Sequence, residues 1–298
     1  LISQVAPNGG IISGSSSVVQ LDAWNWEDAV IRYDQGIHLN WPSPYSRTGY
    51  SYYRGPSTIK KSDKYDLNVE EIKNFFDSSK AYLNEPNPNP VSLPYKAMAP
   101  VFTGNATIFL HADDAKQIKD GVRFLQDQKI KNIVVVGGTN SLDAGDFLAD
   151  NNIKIALEQP HNLPSMEDED VKSRFRLASQ LINKGVTVAV DATGEMTRMN
   201  TRNLPFFAGS FAAYGVEKEK AVESITLNAA KVLGIEDNYG SIEVGKSATL
   251  FVSHGDALDM RTNNLSHAYI DGRSVSLETN QTKLWQRYKK KVEEEKSN

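Results

Sequence analysis

Four near-continuous apolar runs, each followed by an amphipathic segment, occupy residues 106–193 and leave few folds open. "ATIFLH" precedes "DDAKQIKDGVRFLQDQ", in which Ile118, Val122 and Leu125 recur at helical spacing. "KNIVVVGG" precedes "NSLDAGDFLADNN". "KIALEQ" precedes "DEDVKSRFRLASQLINKG", whose Val171, Phe175, Ala178, Leu181 and Ile182 share a face. "VTVAVDATG" leads on to the helical segments "LPFFAGSFAAYG" and "EKAVESITLNAAKVLG". A strand apolar on both sides needs cover on both sides, and parallel neighbours need a long crossover, which a helix supplies. The repeat therefore predicts an α/β fold around a parallel sheet.

The flanks are less regular. In "GGIISGSSSVVQLDAWNWEDAVI" glycines punctuate a β-branched run, Ser16–Leu21, before a helix-like segment from Asp28. "GIHLNWPSP" is a short strand ended by Pro42 and Pro44, and the Tyr-, Ser- and Arg-rich residues 43–66 read as a long loop. "VEEIKNFFDSSKAYLNE" sets Val69, Ile72, Phe76 and Leu83 at helical spacing, and the proline-rich "PNPNPVSLP" stops it as a surface connection. In the tail, "GSIEVGKSATLFVSHGD" and "SHAYIDGRSVSLE" read as short strands, the second bent at an Asp271–Gly272 hairpin turn. The closing "TKLWQRYKKKVEEEKSN" is a charged helix whose Lys289–Lys291 and Glu293–Glu295 fall at i,i+4.

Composition narrows the chemistry. The 298 residues, 40% apolar and 23% charged, suit one large globular domain or two modest ones. A net charge of −4 and a pI near 5.8 give no reason to expect nucleic acid or an anionic membrane as partner. No apolar run approaches the roughly 18 residues of a membrane span, and no targeting segment is evident. With no cysteine, disulfides, thiolate metal sites and cysteine nucleophiles are excluded. The compartment, cytoplasm or periplasm, stays open.

In parallel α/β folds the reactive residues gather where strands end. Those positions are His111, Gly137–Gly138, Glu158 with His161 close behind, and Asp191 with Thr193; His38 lies earlier, inside "GIHLNW". His111 could ligate zinc or act as a general base, or it could simply end its strand while Asp113 or Asp114 caps the next helix. Glu158 and Asp191 could form a carboxyl pair for proton transfer or metal binding, or be loop and cap residues. His161, His254 and His267 read as surface or structural histidines. "VVVGGTNS" lacks the spacing of a phosphate loop, and no G-x-S-x-G elbow occurs.

The tail carries a more specific signal. Thr226, Asn228, Ala230, Leu233 and Gly234, followed by Gly240, Ser241, Ile242, Glu243, Gly245, Lys246, Ala248 and Leu250, resemble the C-terminal signature of the amidohydrolase superfamily, with Thr249 where an aspartate is usual. The upstream order of "FLHADDA", "VVVGGTNS", "GVTVAVDATG" and "RNLPFFAGSFAAYG" is similar to the imidazolonepropionase-like and prolidase-like branch. The likeness is clearest over residues 106–272 and extends more weakly to 5–42.

The resemblance implies a metal-centred (β/α)8 barrel with a small β-sandwich. It also implies a hydrolase of non-peptide C–N bonds, of cyclic-amide or imidazolone type, in a small-molecule substrate, using a metal-activated water with zinc or another divalent ion held at the strand ends. His111 matches the fifth-strand histidine ligand, and His38 ends a strand in the fourth position. The sixth-strand histidine falls at Gly137, the eighth-strand proton-shuttle aspartate falls at Thr193 with Asp191 two residues earlier, and no H-x-H pair occurs.

The expectation is therefore an α/β, (β/α)8 TIM-type barrel of the metallo-dependent hydrolase kind, lacking its first strands. About six barrel strands can be counted, around Val18, Ile37, Phe109, Val135, Ile155 and Val188. Residues 1–235 would form the incomplete barrel, 236–280 the β-sandwich portion and 281–298 a charged helix. A missing N-terminal segment or a partner chain would complete the barrel. The expected site is His111 for metal, with Asp191 and Glu158 as catalytic carboxyls, which a metal-independent hydrolase could also use. The rival reading is a catalytically inactive homologue serving as a binding or assembly subunit.

Overall fold

Why the chain forms a parallel sheet is plain from its connections. The computed structural model describes residues 2–47, 59–164, 169–193 and 197–297. Strands β1 (Ile2–Val5) and β2 (Ile12–Gln20) lead through the short helix α1 (Trp26–Ala29) into β3 (Val30–Asn40). Within the expected long loop, β4 (Tyr45–Arg47) and β5 (Ile59–Lys61) pair as an antiparallel ribbon, and residues 48–58 lie outside the described residues. Helices α2 (Tyr65–Asn84), α3 (Leu93–Ala97) and α4 (Ala99–Thr103) precede the regular alternation of β6 (Thr107–Asp114), α5 (Ala115–Asp127), β7 (Ile133–Asn140), α6 (Gly145–Asp150), β8 (Lys154–Glu158), α7 (Ser173–Asn183) and β9 (Val188–Asp191). Three helices follow: α8 (Leu204–Ala213), α9 (Lys218–Glu223) and α10 (Leu227–Leu233). The stretch "EKAVESITLNAAKVLG" is thus two helices, broken where Thr226 leaves helical geometry at φ −125°, ψ −95°.

Seven strands form one sheet in the order β1-β2-β3-β6-β7-β8-β9. The five from β3 to β9 are parallel and in register with their sequence order, as half of a β/α barrel. The strand around Val18 is not a sixth member of that set. β2 runs antiparallel to β3, because the connection over residues 21–29 is too short for a crossover that would let two parallel strands pair.

Alternation along the strands defines two faces. Leu110 of β6 lies on the helix-covered side, close enough to α5 that a Cβ on Gly121 would stand 2.8 Å from its Cδ2. Ile118, Val122 and Leu125 of α5 are fully buried there, as expected from their spacing. On the other side, Phe109, Val134, Val136 and Ala189 pack with Val232 of α10, and Ala156 and Ala229 lie against them. The concave face of the half-barrel is therefore covered by the chain's own α10. The same helix meets the hairpin, where Val18 packs with Ala230 and Ile235.

The outer edge of β9 is also occupied. Val190 N donates to Ser224 O at 3.0 Å, and the Asn228 amide donates to Val188 O at 3.1 Å. Backbone groups of an edge strand that would otherwise offer themselves to another strand are satisfied from the α9–α10 region.

The chain divides into two compact units, Leu1–Ser241 and Ile242–Asn298. The second holds the antiparallel sheet β10 (Leu250–Ser253), β11 (Leu265–Ile270) and β12 (Arg273–Ser274), then α11 (Asn280–Ser297). The β11–β12 turn has Asp271 and Gly272 at φ +48° and +79°, the left-handed pair that a two-residue hairpin demands. Along α11, Lys289, Lys290 and Lys291 reach Glu293, Glu294 and Glu295 at 3.8–3.9 Å, exposed pairs that each contribute a few tenths of a kcal/mol at about the i,i+4 scale. Among the described residues no helix is long and apolar enough to cross a membrane.

Candidate functional site

The C-terminal ends of the parallel strands bring most of the anticipated residues together. In register, His38 of β3 lies beside Phe109 of β6, Asn40 beside His111, and Glu158 of β8 beside Asp191 of β9. Strand alternation places His38, Phe109, His111 and Asp113 on one face with Ala156, Glu158, Ala189 and Asp191. That face is the concave one, so these side chains stand above the apolar floor made by Phe109, Val136 and Ala189.

His38 and His111 are hydrogen-bonded to each other, Nδ1 to Nε2, at 2.8 Å. His38 is buried and stacks on Phe109, with ring centroids 4.9 Å apart and planes 13° from parallel. Burial, and then the neighbouring His111, lowers its pKa to about 4, so at neutral pH it is an uncharged imidazole. His111 is lowered by burial too, against a raising influence from Asp113. Among the described residues His38 Nε2 is buried with no hydrogen-bond partner.

The carboxyls form the other half. Glu158 accepts from Asn162 Nδ2 at 2.6 Å and meets Arg174 at 3.5 Å. Burial raises its pKa; Arg174 opposes this, while Asp113 and Asp191 add to it. Asp191 accepts from Thr193 N at 3.0 Å and from Thr193 Oγ1 at 2.7 Å. Burial raises it as well, the Thr193 bonds oppose, and Asp113 adds a like charge. Thr193 thus orients Asp191.

Two residues of the site escaped the sequence reading. Asp113 was considered only as a helix cap, yet it stands two positions beyond His111 on the same face and acts electrostatically on His111, Glu158 and Asp191 alike. Its parity with His111 was the available signal. Arg174 lies on α7, and nothing in its local sequence marks it. The helix cap falls to Asp114, whose N–H, like that of Asp113, donates to Gln117 Oε1.

Other candidates lie apart. His161 follows β8 and bonds Ser210 of α8 at 2.7 Å, with its ring between Phe175 and Phe207. His267 stacks on Tyr269 in the second unit. Gly137 pairs with Ala112 while Val136 shares a row with His111, yet a Cβ on Gly137 would stand 2.7 Å from Asp113 Oδ1, so this glycine borders the site.

The donor chemistry tests the implied metal. Catalytic zinc normally takes three protein ligands. The nitrogens of His38 and His111 that approach each other share one hydrogen bond, which leaves, of the two rings, only His38 Nε2 buried and unpartnered among the described residues, and Asp191 and Glu158 accept from Thr193 and Asn162. Among the described residues no group of three or more His, Asp or Glu converges to hold an ion. The residues described here do not fit a metal centre.

A parallel β/α half-barrel with histidines and carboxyls at its strand ends is the architecture of a barrel hydrolase. The amidohydrolase family profile matches residues 117–275, more than half of the chain, and the chain belongs to that family. It superposes on an amidohydrolase from Thermotoga maritima MSB8 with a TM-score of 0.76 and 21% identity, over 92% of this chain and 71% of that one, which establishes the TIM-type barrel fold. Weaker likenesses include a zinc-bound adenosine deaminase from Xanthomonas campestris, with a TM-score of 0.47 and 17% identity over 74% of this chain and 61% of that one. A Xaa-Pro dipeptidase with bound methionine gives a TM-score of 0.44 and 20% identity over 61% of this chain and 47% of that one. No curated protein matches the sequence significantly.

Proposed function

We propose that the chain is the C-terminal part of a hydrolase that cleaves a non-peptide C–N bond, of cyclic-amide or imidazolone type, in a small molecule. The observation that most supports this reading is the register pairing of Glu158 with Asp191 at the C-terminal ends of adjacent parallel strands. Neighbouring strands lie about 4.8 Å apart, which brings both carboxyls to one substrate bond. Hydrolysis needs one proton taken from water and one delivered to the leaving nitrogen. Arg174 draws Glu158 back toward the ionised form, whereas Asp191 is held up by burial with only neutral Thr193 donors against it. Glu158 is therefore the base and Asp191 the acid. Water oxygen bonds to the carbonyl carbon as its proton passes to Glu158, and the C–N bond breaks as Asp191 protonates the nitrogen.

The family resemblance implies a metal-activated water at this point. Because the described residues do not fit a metal, the reaction runs through the carboxyl pair. We assign the barrel positions beyond β3–β9 to further polypeptide, either a preceding segment or a partner chain, and read β10–β12 as a contribution to a small β-sandwich.

A second reading, a binding or assembly subunit without catalysis, is favoured by Gly137 and Thr193 at positions where the family pattern has a ligand and an acid. Purified chain incubated with a panel of hydantoins, imidazolones and N-acyl amino acids separates the two. Release of ring-opened or deacylated product, reduced at least about 100-fold in Asp191→Asn, is expected of an essential general acid. No turnover by the wild-type chain supports the binding subunit instead.

A further inference from the structure

We infer that the metal position of the amidohydrolase pattern is rebuilt in this chain as a closed hydrogen-bonded site, in which the His38–His111 pair and the Asp113 carboxylate over Gly137 leave no room for a zinc ion. Three independent features of the packing carry it.

First, the two imidazoles point nitrogen to nitrogen at 2.8 Å. Two ligands of one tetrahedral zinc, each about 2.0–2.1 Å from the ion, stand roughly 3.3 Å apart with both lone pairs aimed at the metal. In the imidazole pair one nitrogen carries the proton and the other accepts it, so only one lone pair is present between them.

Second, the His38 ring is buried and packed against its neighbours. It is stacked on Phe109, and Phe109 is confined in turn: a Cβ on Gly36 would sit 2.4 Å and 2.6 Å from its Cε2 and Cδ2. Phe109 also belongs to the apolar cluster that includes Val232 of α10.

Third, the sixth-strand position is a glycine in the left-handed region beside the Asp113 carboxylate. Gly137 has φ +97°, and a Cβ there would lie 2.7 Å from Asp113 Oδ1 and 3.6 Å from Ala112 O. The carboxylate of Asp113 lies where a side chain at this position would begin, and Thr139 N donates to it at 3.4 Å. The glycine is thus a fitted part of the site, whose removal of a ligand is matched by a neighbour that occupies its space.

The test uses the full chain and reads zinc, so turnover or its absence does not bear on it. The chain is equilibrated with zinc chloride, dialysed, and analysed for bound zinc alongside His111→Ala, while side-chain nitrogen NMR of wild type follows the imidazoles of His38 and His111 through the same addition. We expect no zinc uptake that depends on His111 and no change in either imidazole. Stoichiometric zinc lost in His111→Ala, or coordination shifts at the His111 nitrogens of the wild-type chain, would overturn the inference even if the variant were misfolded.

Discussion

Replacing Asn228 with alanine unseals the outer edge of β9. In the native chain the carboxamide donates to Val188 O at 3.1 Å, one residue row from the Val190 N–Ser224 O bond at 3.0 Å. The other side of β9 is already used: Ile155 N donates to Thr187 O, and Gln159 N to Asp191 O. Val188 O therefore faces away from β8, with Asn228 as its donor. Truncation strands a partly buried carbonyl, which costs about 1–3 kcal/mol when fully desolvated and about 1–2 kcal/mol at partial burial. In a unit of this size each kcal/mol moves the melting temperature by roughly 2–4 °C, so a fall of about 2–8 °C is expected. Asn228→Asp keeps the shape but turns an acceptor toward an acceptor, and should destabilise at least as much. Equilibrium urea unfolding reads the loss as a lower midpoint at unchanged slope, and exchange of the Val190 amide should accelerate with it. A loss below about 0.5 kcal/mol, the range of an ordinary surface substitution, would refute the reasoning and return this signature asparagine to another role.

Gly36→Ala should destabilise by about 1–3 kcal/mol through overpacking, because the new methyl meets the Phe109 ring at 2.4 Å and Thr107 O at 2.9 Å; a variant as stable as wild type by urea unfolding would show that Phe109 can yield. Tyr65 is shifted up to about 12, mainly by burial and by its hydrogen bond to Asp120. A pKa raised above the unfolded value of about 10 means that the unfolded chain releases its proton first. Stability is accordingly kept below pH 10 and lost as pH rises toward 12. Tyr65→Phe should flatten that alkaline decline in the urea midpoint, and an unchanged decline would remove Tyr65 as its source.

Much of the α/β body could be read from residue patterns alone. The apolar runs around Phe109, Val135, Ile155 and Val188 become parallel strands, and Ile118, Val122 and Leu125 bury one face of α5, because alternation and helical spacing are local properties of the chain. The family signature was equally legible, since it rests on residue identity at fixed intervals. Local pattern was silent on strand direction. β2 has the same β-branched character as a barrel strand, and only the length of its connection to β3 made it antiparallel.

The candidate site divides along the same line. Sequence placed His111, Glu158 and Asp191 at strand ends, because that requires only where a strand stops. It did not reveal that His111 would meet His38, that Asp113 would act on all three, or that Gly137 would be filled by a carboxylate from the neighbouring strand. Those facts depend on register between strand residues 25 or more apart in the chain. The chemistry available at each strand end is thus written in the residue types, whereas the hydrogen bonds that occupy them are set by which residue stands opposite, and tertiary packing alone decides that.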